Sequence, residues 1–309
     1  MKTVQKILMV VTTTFYIGTT IAQQEAQFTQ YLDNMIYYNP AYAGSNDMLS
    51  ISALHRQQWA GFKGAPMSTT LGIHTPLRYD NIGIGMSLLN DKVGPTNNTW
   101  INADVSYSLK FKRHKGRLSF GLKGGVNLLN GDINQLYKQD DSDEILDVRY
   151  QNEAKFNIGA GVYYHSEQFF VGVAVPRIID NVKEANELIN PKFISQRHYY
   201  LTIGGYINAN RMLKIRPSAM LKVTENSPMA IDANLAFIFY NQFWVGANYR
   251  VLESAGIYVQ YQISNQFKVG YAFEFSTTQL RAHNAGTHEL MISYDLLLNN
   301  KSFASPRYF

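Results

Sequence analysis

The chain has 309 residues and no cysteine, and its 28 Lys and Arg against 23 Asp and Glu give a formal charge of +5. No disulfide framework, thiolate nucleophile or Cys-ligated zinc can be present, and so mild a positive balance does not imply a nucleic-acid partner. Tyr (21), Phe (17) and Gly (22) are abundant while the mean hydropathy is −0.21, a balance unlike that of helical membrane proteins, and one all-β domain fits the length.

The first residues read as an export signal over residues 1–22. Lys2 and Lys6 form a positive start, residues 7–21 are uncharged and apolar to small, and Thr20, Ile21 and Ala22 offer small residues at a cleavage site before Gln23. Removing Lys2 and Lys6 leaves 26 basic against 23 acidic residues, about +3. No later stretch approaches the 18 or so apolar residues of a membrane helix. Residues 23–45 alternate poorly and carry Glu25 and Asp33, and are expected to form a periplasmic or barrel-plugging segment.

From residue 46 onward the dominant signal is period-two alternation, the mark of a strand with two unlike faces. In 100–111 one face carries Ile101, Ala103, Val105, Tyr107, Leu109 and Phe111, and the other Asn102, Asp104, Ser106, Ser108 and Lys110. Fourteen such segments fall near 48–55, 68–75, 81–90, 98–111, 116–127, 155–165, 167–175, 197–208, 211–224, 229–240, 242–250, 253–263, 266–275 and 287–297. Connections after even segments are short, such as 112–115 and 264–265. Those after odd segments are mostly long, at 56–67, 91–97, 128–154, 176–196 and 276–286, although 225–228 and 251–252 are short. One rim of short turns and one of longer loops is what an antiparallel transmembrane β-barrel of about 14 strands shows. The even count puts both ends of the barrel, over residues 46–297, on the periplasmic side.

Alternation also suits a soluble sandwich. The polar faces, however, are rich in Gly, Ser, Asn, Tyr and single charges rather than Lys/Glu runs, which favours a barrel with apolar faces toward lipid. Parity puts Lys110, Arg117, Lys123, Lys214, Arg216, Lys222, Arg250 and Lys268 in the lumen against Asp104, Asp232, Glu274 and Asp295. The interior is therefore expected to be net positive and to favour an anionic or polar segment, such as residues 23–45.

Catalytic and metal motifs are weak. The seven histidines lack metal-binding spacing, and Ser293 with His288 is an imaginable pair without a GxSxG elbow or an orienting third group. Asp140, Asp141, Asp143, Glu144 and Asp147 read as a solvated acidic loop, since no Gly stands at the turn position of a calcium loop. Only 181–190 has the period of a short amphipathic helix.

Several longer motifs carry a resemblance. Tyr38 to Gly44 read YNPAYAG, Leu54 to Pro66 read LHRQQWAGFKGAP, and Leu89 to Thr96 read LNDKVGPT. They are followed by FWVGANYR at Phe243 to Arg250, GTHEL at Gly286 to Leu290, and the terminal SPRYF at Ser305 to Phe309. In this order, over nearly all of the chain after the signal, they resemble the PorP/SprF family of outer-membrane proteins. The resemblance implies a non-enzymatic component of the type IX secretion system without cofactor, working with other components of that system. It implies export or surface retention of cargo proteins, gliding adhesins in some members, through the cargo's C-terminal domain. An outer-membrane channel or porin is the alternative that the barrel itself suggests. Partner binding is expected on the long-loop rim, at Arg56, Trp59, Phe62, Lys63, Lys92 and Arg281, because aromatic and Arg side chains dominate binding hot spots.

Overall fold

A strand with one apolar and one polar face is stable in a bilayer only if its backbone is fully paired and its apolar face meets lipid, and a closed barrel satisfies both conditions. The computed structural model has this form. It describes residues 25–46, 48–77, 81–111, 115–132, 149–179, 197–224 and 228–296. The expected signal 1–22, the acidic cluster at 140–147, the candidate helix 181–190 and the SPRYF motif lie outside the described residues.

The described strands are β1 (Leu49–Gln57), β2 (Met67–Pro76), β3 (Ile82–Val93), β4 (Thr96–Phe111), β5 (Gly116–Asp132), β6 (Arg149–His165) and β7 (Phe169–Val175). They continue with β8 (His198–Gly205, resumed after Tyr206 by Ile207–Asn208), β9 (Leu213–Thr224), β10 (Ala230–Phe239) and β11 (Phe243–Arg250), then β12 (Ser254–Gln262), β13 (Phe267–Ser276) and β14 (Thr287–Leu296). Each pairs antiparallel with its neighbours in sequence, and β14 closes on β1 with Leu49 opposite Leu296 and Gln57 opposite His288. All fourteen alternating segments are strands.

The faces divide as the alternation predicts. Outward lie Leu122 (64 % exposed), Phe156 (73 %) and Ile257 (64 %), whereas inward lie Asp104, Lys123, Arg216, Asp232, Arg250 and Glu274, all buried. Strands β4 to β6 run 16, 17 and 17 residues. A membrane strand needs only about 9 to 11, so this part of the wall projects beyond the bilayer on the long-loop side.

One expectation changes. The connection expected at 91–97 is a tight turn at Gly94 and Pro95, because β3 and β4 stay paired up to Val93 opposite Thr96. Asn90 Nδ2 donates across that ladder to Asn97 (2.7 Å) and Thr99 (2.9 Å), and Gly94 takes the positive φ of 55° that the turn requires. Lys92 is thus an exposed strand residue rather than a loop residue. The two ends of the barrel share one rim, as an even strand count requires, with Leu49 opposite Leu296, and Glu25 lies at the other, long-loop end because residues 25–46 cross the lumen once before β1 begins.

Those residues form the molecule's core. A 3-10 turn (Tyr31–Asn34), a single helical turn α1 (Met35–Tyr38) and a second 3-10 turn (Pro40–Tyr42) place Phe28, Tyr31, Met35, Ile36, Tyr38 and Ala41 at 0 to 1 % exposure. They pack on Leu54, Leu89, Trp100, Tyr163, Phe170, Tyr200, Met220 and Met291 from the wall. Each large side chain so buried contributes about 2 kcal/mol. The barrel therefore holds an apolar core inside a polar lumen as well as an apolar band outside.

Candidate functional site

The inner segment is polar where it must be, because its short turns leave backbone groups that a buried chain has to satisfy. At the long-loop end Glu289 Oε2 and Oε1 accept the N–H groups of Thr29 and Gln30, each at 2.9 Å, and Glu274 accepts the Thr29 hydroxyl. Arg56 Nη2 binds Glu274 at 2.8 Å and its Nη1 lies 3.6 Å from Glu289. Arg250 Nε binds Asp232 at 2.8 Å, and its Nη1 reaches Glu253 and Glu274 at 3.3 and 3.7 Å. This alternation of guanidinium and carboxylate lets five buried charges, Arg56, Arg250, Asp232, Glu274 and Glu289, coexist in one place.

Lower in the lumen Tyr31 donates to Ser218 (3.0 Å), Asn34 to Thr70 (2.9 Å), Lys123 to the Ile36 carbonyl (3.1 Å) and Ser106 to the Ala43 carbonyl (2.7 Å). Lys123 also pairs with Asp104 at 2.9 Å. Asp33 accepts from Lys268 and from Gln260. The Lys268 ammonium and the Asp33 carboxylate thus neutralise one another inside the barrel. Glycines of the wall make room for the backbone. A Cβ on Gly121 would stand 2.2 Å from the Ala41 nitrogen, and one on Gly83 would stand 2.1 Å from the Ala43 carbonyl oxygen.

The long-loop rim brings together the three segments expected to bind partners. Ala60 N–H donates to the Gly286 carbonyl at 2.7 Å and Ala285 N–H to the Ala60 carbonyl at 2.8 Å, while Gly94 N–H donates to the Gly64 carbonyl at 2.9 Å. The loop between β1 and β2 is therefore stitched to both neighbours. Trp59 is half-buried, Phe62 is 50 % exposed, and Lys63, Lys92 and Arg281 are exposed. Arg281 lies 5.8 Å from the Phe275 ring on the short 3-10 turn Gln279–His283. Arg56 departs from the expected rim group. Its side chain is 3 % exposed and turned into the lumen, since the parity that puts His55 and Gln57 outside puts residue 56 inside.

Below this rim is a cavity of about 290 Å³, bordered by Ala26 and Gln27 of the inner segment, by Trp59 and Pro66, and by Asp91 and Glu253. Glu289 and Asp91 were missing from the lumen charges read in sequence, although both lie on inward parity. Their motifs, GTHEL and LNDKVGPT, were the available signal. His288 faces outward against Tyr271 (2.7 Å) while Ser293 faces the lumen, so the wall separates that imagined pair.

A model of the family described as type IX secretion system membrane protein PorP/SprF matches residues 20–294. No curated protein matches the chain. Among solved structures, the outer membrane protein Omp33 of Acinetobacter baumannii is similar at 10 % identity and a TM-score of 0.46, covering 82 % of this chain and 100 % of that one. A KdgM porin is similar at 12 % identity and a TM-score of 0.36, covering 79 % and 98 %. Outer membrane phospholipase A from Escherichia coli follows at 11 % identity and a TM-score of 0.37, covering 88 % and 98 %.

Proposed function

The chain belongs to the PorP/SprF family of type IX secretion membrane proteins, and from that premise we propose that it is a non-enzymatic docking component of the outer membrane. In this reading its long-loop rim faces outward and binds the C-terminal domain of cargo proteins, gliding adhesins among them, supporting their export or retention with other components of the system. The observation that carries the reading is the filled lumen. Residues 25–46 occupy the interior on buried polar contacts from one end to the other, so among the described residues the long-loop end offers a closed-off rim cavity rather than a pore.

Trp59 and Phe62 sit on the loop that ties the rim together, and such aromatic side chains commonly dominate binding energy. Replacing both by Ala is expected to reduce cargo at the cell surface while the barrel still assembles, as judged by cell fractionation and a heat-shifted gel band. Wild-type export and retention in that variant would remove the rim from the reading and turn attention to the short-turn face.

A further inference from the structure

We propose that the cavity below the long-loop rim binds a Lys or Arg side chain of an extended peptide segment, with Asp91 as its anchoring carboxylate. The proposal deepens the docking reading above and rests on it for the source of the peptide. The charges in the cavity wall fix the sign of the ligand. Three carboxylates, Glu25, Asp91 and Glu253, meet two guanidiniums, Arg56 and Arg250. Both guanidiniums are already shared with Glu274, and further with Glu289 and Asp232. Glu25 is paired with Arg177. Among the described residues Asp91 has no cationic partner and accepts only the Ser68 hydroxyl, at 2.6 Å. The unmet charge is negative, and a ligand carboxylate would meet repulsion.

The remaining lining suits a peptide rather than a bare cation. Gln27 and Arg250 line the cavity, and their Oε1 and Nη2 atoms are buried without a hydrogen-bond partner, so a small shift of the wall lets them meet a peptide N–H and a peptide carbonyl. Trp59, Pro66 and Val93 give an apolar wall along which the methylene stem of Lys or Arg can lie, and the Trp59 ring adds cation–π attraction. A divalent ion would find neither a converging carboxylate set nor a use for that wall.

The test uses the full-length protein in detergent and the fluorescence of Trp59, since Trp100 and Trp244 are 6 % and 2 % exposed and W59F reports their share. The probes are acetyl-Leu-Lys-Leu-amide and acetyl-Leu-Glu-Leu-amide. The Lys peptide is expected to give a saturable change that is absent in W59F, and the Glu peptide to bind about tenfold more weakly or worse. Asp91→Asn should weaken the Lys peptide by about tenfold, and Asp91→Glu should largely restore it. Equal affinity for the two peptides, no saturable signal with either, or an Asp91→Asn variant that binds Lys peptide like wild type would overturn the proposal. The first two results need no variant, so a misfolded Asp91→Asn does not shield it. Measuring cargo export by the same variant separates the two ideas. Lost peptide binding with normal export removes the cargo reading and keeps the pocket, whereas lost export with unchanged peptide selectivity does the reverse.

Discussion

Gly121 and Gly124 stand three residues apart on β5 and answer to different surroundings. A Cβ on Gly121 would collide with the Ala41 nitrogen, while one on Gly124 would meet nothing within 4 Å. Gly121→Val is therefore expected to expel the Pro40–Tyr42 turn and lower the melting temperature in detergent, and Gly124→Ala to leave it within a degree or two. A second residue-scale prediction concerns Asp33. Its carboxylate is paired with Lys268 inside the barrel. Asp33→Asn, by leaving Lys268 unpaired, should cost about 3 kcal/mol, read as a lowered melting temperature in detergent.

Among the elements, the inner segment is the one that differs from an ordinary strand wall. Its hydrogen bonds to Glu289, Ser218, Thr70, Val162 and Ser106 tie it to six different strands once Lys123 is counted. No single strand holds it, so partial release is disfavoured. Wild-type protein in planar bilayers is expected to conduct little, and deletion of residues 25–46 to give large steady currents if the wall still closes. Comparable conductance before and after deletion would show that the segment does not seal the lumen. The clamp that seats it is equally exposed to mutation. Arg56→Ala leaves Glu274 and Glu289 facing each other in the interior, and a loss of roughly 3 to 5 kcal/mol follows from breaking such a buried pair, measurable as a lowered melting temperature of the refolded barrel.

For the whole molecule the governing balance is between two apolar surfaces, one turned to lipid and one wrapped around residues 25–46. Leu122 is 64 % exposed on the outer face, near the middle of β5 and opposite Val105 and Ala160 on its neighbours. Leu122→Arg should cost about 2 to 4 kcal/mol of membrane stability and reduce insertion into liposomes, whereas Gly124→Ala on the same face should not. Equal insertion of Leu122→Arg and wild type would place this face away from lipid.

The sequence alone determined the strands, their number and which face of each is apolar, because alternation is a local property with period two and every strand repeats it. It also determined which rim carries the longer connections, since connection length needs no tertiary information. The alternation at 48–55 even carried the true orientation of residue 56, but a motif dense in Arg and aromatic residues suggested an exposed loop. What only the tertiary structure decided are the contacts between distant residues: Thr29 with Glu274 and Glu289, 245 and 260 positions away, and Arg56 with Glu274, 218 away. Barrel closure brings the last strands beside the first, and the lumen then compares charges that no window of sequence holds together. That closure set the clamp, filled the interior with residues 25–46 and left Asp91 facing the rim cavity with no cationic partner among the described residues.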